Sequence, residues 1–228
     1  MRNHAPIFRP AIVLFALLSV LTGVVYPLTI TGVAQVAFAD KANGSILNDA
    51  AGKPIGSMLI GQEFGTSDPS KASDLARWFW GRPSATSPVP YTALNVERST
   101  GSSGSNLAPT NPALIESVRA RLAALDAADA SVGIVRGAPG SLPREVPVPV
   151  DLVTTSASGL DPHISLAAAE YQVPRIAKAR DMKEAAVRLL IRDHMRGRTL
   201  GVLGEPVVNV LGLNQALEAM QQHSAQYD

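Results

Sequence analysis

Ser158, Asp161 and His163 supply the hydroxyl, carboxylate and imidazole of a nucleophilic triad within one short stretch, Ser158-Gly159-Leu160-Asp161-Pro162-His163. In a working triad these groups converge through tertiary structure, and neighbours along one turn rarely point at a common spot. The chain contains neither the G-x-S-x-G elbow nor the S-x-x-K pair that mounts a serine nucleophile. The stretch therefore reads as a turn, with Asp161 placed to cap a helix opening at Pro162. Metal chemistry is no better served. His4, His163, His194 and His223 are scattered, no H-x-H or H-E-x-x-H occurs, and there is no cysteine to supply a thiolate. Residues 99–106, STGSSGSN, have the composition of a phosphate cradle, with Gly101 and Gly104 among the hydroxyls of Ser102, Ser103 and Ser105. They lack the Lys-Ser/Thr ending of a P-loop, and the next helix begins only at Pro112.

Charge offers one less generic feature. From Arg175 to Arg198 there are eight basic and three acidic residues. Arg188, Arg192 and Arg196 recur at every fourth position, a basic stripe on a helix, with Glu184 set to pair with Arg188. A solvated face is the plain reading, and a face turned to a membrane or partner is the other. The chain has 20 Lys and Arg against 19 Asp and Glu, and setting aside Arg2 and Arg9 leaves 18 against 19. Nothing in that balance points to nucleic acid.

The elements that must hold these residues begin with an uncharged run over residues 11–30, AIVLFALLSVLTGVVYPLTI, long enough to cross a bilayer as a helix. Ala37-Phe38-Ala39 before Asp40 fits a leader cleavage site. The apolar run, however, exceeds the roughly 7–15 residues of a signal peptide, and that site lies well beyond its end. An uncleaved anchor is the better reading. Arg2 and Arg9 precede the run, whereas Lys41 is the first basic residue after it, so the positive-inside rule puts the N-terminus in the cytoplasm. This predicts a cytoplasmic tail over 1–10, a transmembrane helix over 11–31 and a soluble extracytoplasmic domain over 32–228. Ser19 and Gly23, with Thr22 beside them, have the small-residue spacing that lets two membrane helices approach. Tyr26 suits the interface, and Pro27 is expected to kink or end the helix.

About 190 residues remain, enough for one domain with its own core. Residues 55–64 read as a strand and Trp78-Phe79-Trp80 as core aromatics. Asn111 caps a helix with Pro112 at its first position and Leu114, Val118, Leu122 and Leu125 along one face. Residues 126–149, rich in Ala, Gly and Pro, read as a surface loop. Residues 148–154 read as a strand, Pro174 as an interruption of a helix, and 183–195 as a second helix. Short strands over 199–203 and 207–211 precede a closing helix over 213–222. The resulting fold class is a single N-terminal transmembrane helix plus one mixed α/β (α+β) extracytoplasmic domain.

Taken in order, the strings of the chain resemble the C chain of the bacterial high-affinity potassium-transporting ATPase, the Kdp system. The likeness runs through Thr22-Gly23, Tyr26-Pro27-Leu28, Ala42-Asn43-Gly44-Ser45, Leu59-Ile60-Gly61-Gln62, Arg82-Pro83-Ser84-Ala85, Gly104-Ser105-Asn106-Leu107 and Asn111-Pro112. Its longest part joins Val150-Asp151-Leu152-Val153-Thr154 to the turn from Ser158 to Ser165, with Pro174-Arg175, Ala179-Arg180 and Val208-Asn209-Val210-Leu211 after it. Two departures are Ala39 after Phe38, where members often have Pro, and Thr100-Gly101-Ser102-Ser103, where members often have a simpler Gly-Gly pair.

The resemblance implies an accessory subunit and no enzyme of its own. Its partners would be a potassium-selecting channel-like chain, a P-type ATPase chain, a very small chain and the membrane, with potassium as the transported ion. It further implies a catalytic chaperone that raises the ATP affinity of the ATPase chain, with a Ser/Gly-rich segment, here Ser102, Ser103, Gly104 and Ser105, proposed to meet nucleotide. Topology opposes that last idea, because ATP is cytoplasmic and this loop should lie outside. Ser19, Thr22, Gly23, Tyr26 and Pro27 become the partner-helix face. Gly159, Asp161, Pro162, His163, Arg175 and Arg180 become structural or interface residues. The rival readings are a membrane-anchored extracytoplasmic hydrolase using Ser158 and His163, or a solute-binding module.

Overall fold

The computed structural model describes residues 5–49, 51–136 and 146–224. The chain divides into two units, residues 1–55 and 56–228.

The first unit is dominated by Ala5–Val20 (α1), a single wide turn at Leu21–Val25, and Tyr26–Ala37 (α2). Its 31 residues from Ile7 to Ala37 are predominantly apolar, and none of them is buried. At 1.5 Å per residue they reach about 46 Å, more than the ~30 Å of a hydrocarbon core. Pro27 does not end the helix, which continues past it to Ala37. Pro27 has no N–H for the Gly23 carbonyl, and its ring would press on it. The backbone widens instead, and Tyr26 N–H reaches back to the Leu21 carbonyl, a π-type turn that keeps the helix continuous. Thr22 and Thr29 hydroxyls donate to the Leu18 and Val25 carbonyls at 2.7 and 2.8 Å, so neither hydroxyl is left bare on an apolar surface. A short helix, Ala39–Ala42 (α3), ends in a turn where Gly44 and Ser45 take positive φ. Strands Ile46–Asn48 (β1) and Pro54–Ser57 (β2) then pair as a hairpin.

Among its described residues the second unit has four α-helices and a three-stranded antiparallel sheet. The helices are Pro112–Ser131 (α4), Leu166–Ala179 (α5), Glu184–Asp193 (α6) and Val210–Ser224 (α7). The strands are His163–Ser165 (β5), Met195–Arg196 (β6) and Val207–Asn209 (β7), in the order β5-β7-β6. A separate two-stranded ladder joins Leu94–Asn95 (β3) to Thr100–Gly101 (β4). Helix α5 is buried almost all round and forms the centre of the unit.

Several boundaries differ from expectation for identifiable reasons. The strand expected over 55–64 stops at Ser57, whose hydroxyl accepts from Leu59 N–H and turns the chain. Helix α4 runs to Ser131 and buries Asp126, Ala128 and Asp129, so the surface loop does not begin at 126; residues 137–145 lie outside the described part. In place of the strand over 148–154 there is a tight helical turn, Val150–Leu152, from which Asp151 accepts Ser165 N–H at 2.7 Å. No helix opens at Pro162. Strand β5 comes next, and α5 starts at Leu166 with Ser165 as its cap. Pro174 sits within α5 without breaking it, because burial of the surrounding helix outweighs one missing bond. Residues 199–203 make only one bridge, Thr199 to Leu203, and 207–211 divides between β7 and the start of α7.

The core is organised by the aromatic cluster. Phe79 and Trp80 are wholly buried, and their backbones are held by side-chain amides. Asn214 accepts Phe79 N–H at 2.9 Å and donates to its carbonyl at 3.0 Å. Gln172 accepts Trp80 N–H at 2.8 Å and donates to its carbonyl at 3.2 Å. Two helices thus offer this extended segment the pairing that a neighbouring strand would. Arg121 and Arg175 stack on the Trp80 ring at 4.8 and 5.0 Å from its centroid.

Candidate functional site

Arg82 joins segments that lie far apart in the sequence. It extends from the loop after Trp80, donates to the Thr155 carbonyl at 3.0 Å and lies 3.6 Å from the Asp161 carboxylate. Asp161 also accepts His163 N–H at 3.0 Å, and the His163 ring nitrogen lies 3.4 Å away. Burial alone would raise the Asp161 carboxyl, but the His163 bonds and the Arg82 charge outweigh it and hold it below the usual range. Ser84 donates to the Gly159 carbonyl at 2.6 Å and accepts Tyr91 N–H at 2.9 Å. Tyr91 donates its hydroxyl to the Arg82 carbonyl, and burial pushes its pKa up to about 12.

The Gly/Ser loop closes the other side. Ser102 N–H bonds the Ala93 carbonyl at 3.1 Å and Ser103 N–H the Ser158 carbonyl at 2.8 Å. The Ser102 hydroxyl reaches the same Ser158 carbonyl at 2.9 Å, and Thr155 bonds Ser105 at 3.1 Å. A phosphate cradle needs its N–H groups pointing outward together. Here those of Ser102 and Ser103 point at the protein's own backbone. Close approach explains two glycines. A Cβ on Gly159 would sit 2.4 Å from the Ser103 carbonyl at φ +67, and one on Gly104 would sit 2.8 Å from that of Ala157.

Two hollows flank Arg82. One, of about 260 Å³, is bounded by Glu63, Ser67, Arg82, Tyr91 and Arg121. The other is an open groove beside Leu59, Ser158, Leu160 and Asp161. Arg121 floors the first, donating to the carbonyls of Thr66, Gly81 and Leu152, and burial lowers its pKa to about 10. Burial also raises the Glu63 carboxyl, against the pull of Arg121 and Lys71.

The structure sorts the remaining expectations. Ser158 does not complete a triad: its hydroxyl accepts Leu160 N–H at 3.1 Å, the geometry of a turn. Arg175 and Arg180 belong to the core. Arg175 donates to Ala76 O and Gln172 and lies 3.5 Å from Asp129, while Arg180 bonds Arg77 O, Glu218 and Gln221 and stacks on Trp78. The basic stripe is broken, because α6 ends at Asp193, Arg188 pairs with Glu184 and Glu170, and Arg196 lies in β6. Among the described residues no three His, Asp or Glu gather as metal ligands. Arg82, Tyr91 and Arg121 were missed as a group. Arg121 left a signal, a charge on the apolar face between Val118 and Leu125, whereas Tyr91 reaches Arg82 only through the fold.

The strings that meet at this junction are those that carry the family likeness. The family model described as K+-transporting ATPase, c chain, matches residues 8–219, taking in both the apolar helix and the Arg82 junction. The chain belongs to the KdpC family. A potassium-transporting ATPase KdpC subunit of Burkholderia mallei (strain SAVP1) is 51% identical over 215 residues, covering 94% of this chain and 97% of that one. That of Burkholderia pseudomallei (strain K96243) gives the same figures, and that of Dechloromonas aromatica (strain RCB) is 50% identical over 214 residues with the same coverage. In KdpC terms, the single apolar helix fits a membrane-anchored ATPase subunit, and the junction is where distant parts of the KdpC sequence are tied together.

Proposed function

We propose that this chain is a non-catalytic assembly subunit of an ATP-driven potassium uptake complex. Its helix packs against membrane helices of the potassium-selecting, P-type ATPase and small chains. Its outer domain docks on the extracytoplasmic face of the potassium-selecting chain. The observation that carries this reading is the junction itself: Arg82, Ser84, Ser102, Ser103, Asp161 and Gly159 bond one another's segments. Groups arranged this way fix a surface, whereas a nucleophile or phosphate cradle needs them turned to a ligand.

A chaperone effect on ATP affinity, in this reading, is relayed through the helix and not by nucleotide contact at Ser102–Ser105. The charge asymmetry around the span supports a cytoplasmic N-terminus and an extracytoplasmic domain. The native chain has no cysteine, so Ser102→Cys gives a clean reporter at an exposed position. Labelling in intact cells by a membrane-impermeant maleimide is expected. Labelling only after the membrane is opened would refute the orientation and with it the docking face.

A further inference from the structure

Beyond the assembly role, one part of the second unit is joined to its own fold only along the edge strand β6, which pairs with β7, and is exposed throughout. Every residue from Arg192 to Glu205 is exposed, a projecting arm made of β6, the Thr199 to Leu203 bridge and the approach to β7. At its tip Leu200, Val202 and Leu203 are 87%, 71% and 60% exposed. A domain with a well-filled core does not need to leave three large aliphatic side chains together in water. The turn holding them is specified. Leu200 takes φ +55 and Gly201 φ +77, and Thr199 and Leu203 exchange backbone bonds at 2.8 and 3.0 Å.

The charges of the arm say what it meets. Between Arg196 and Gly204 the sequence RGRTLGVLG has two arginines and no acid. Arg198 is paired across the arm with Glu205 at 2.6 Å, which leaves the exposed Arg192 and Arg196 as cations behind the apolar tip, with Asp193 the one acid between them. An aliphatic wedge backed by arginines is the pattern of segments that sit in a lipid interface, the wedge among acyl chains and the guanidiniums among phosphates. The same chain carries an apolar helix long enough to span a bilayer, and with that helix as anchor a bilayer is held at high effective concentration.

We propose that the Leu200-Gly201-Val202-Leu203 tip inserts into the headgroup region of the anchoring membrane, with Arg192 and Arg196 on anionic phospholipid. This rests on the helix as an anchor and not on the docking surface proposed above, so either can fail alone.

The test uses the full chain in nanodiscs, carrying Val202→Cys labelled with an environment-sensitive fluorophore and, as control, Glu116→Cys on the exposed side of α4. Phosphatidylglycerol-containing discs are expected to shift the emission at 202 to the blue and shield it from aqueous iodide. The control should stay in water. High salt, or Arg192→Gln with Arg196→Gln, should return the 202 signal toward that in phosphatidylcholine discs. These positions are exposed, so the fold tolerates all the substitutions. A 202 probe that stays in water in anionic discs overturns the proposal. So does one that becomes shielded only when the other chains of the complex are added, which would make the arm a protein contact.

Discussion

Asp161 shows how one side chain can be read wrongly in role and correctly in chemistry. It accepts a backbone N–H two residues on, as a cap would, but the next element is strand β5, and its second partner is Arg82. Asp161→Ala is expected to lower stability by about 1–2 kcal/mol, one net hydrogen bond plus a screened ion pair. Asp161→Asn keeps the acceptor and should lose less. Because the folded carboxyl titrates below its unfolded value, the charge-dependent stability is fully present above about pH 4 and is lost as pH falls through the folded pKa. Chemical denaturation across that range should therefore show the difference between wild type and Asp161→Asn shrinking toward acid. A gap that widens toward acid would contradict the assignment. Gln172 is the more demanding case. Gln172→Ala strips partners from Trp80 N–H, Trp80 carbonyl and Arg175 at once, and each orphaned buried group costs about 1–3 kcal/mol. The expected loss exceeds that of Asp161→Ala, and a melting curve resolves the two. Gln172 was not legible in the sequence, because what it satisfies is backbone from a segment far away along the chain; Arg121 left only the signal of a charge on an apolar helix face.

At the scale of elements, α4 and the long apolar helix were legible, whereas most short extended segments were not, β7 excepted. Asn111-Pro112 and the apolar repeat after it located α4, and the uncharged run located the long helix, since both signals are local. The expected strands over 55–64 and 148–154 failed for a shared reason. Apolar runs of that length serve equally as strand or buried turn, and tertiary bonds such as that from Ser165 to Asp151 decide between them. Neither Pro27 nor Pro174 ends its helix, since a wide turn absorbs one and dense packing retains the other. The wide turn has a testable consequence. It acts as one extra residue in the helix, so Pro27→Ala, which restores the N–H, should regularise it and rotate the faces on either side by about 100° relative to each other. Complex yield should fall while the second unit melts unchanged. Gly23→Ile probes the same face without touching the chain's own packing, because a Cβ there meets nothing within 4 Å. Reduced co-purification of the partner chains is expected. Unchanged yield would mean that this face meets lipid only.

For the whole molecule, one apolar helix long enough to span a membrane precedes a domain whose segments are tied together at the Arg82 junction. The Gly/Ser loop is the place where this differs most from a nucleotide-contacting role, because the Ser102 and Ser103 N–H groups are already paired. The most direct measurement is the ATP dependence of potassium-stimulated hydrolysis by the purified, reconstituted complex carrying Ser102→Ala and Ser103→Ala together. Both side chains are exposed, so assembly should survive, and the account predicts KM for ATP and kcat equal to those of the native complex. A raised KM for ATP in a complex of normal composition and yield would contradict it, placing nucleotide at this loop and the domain on the other side of the membrane.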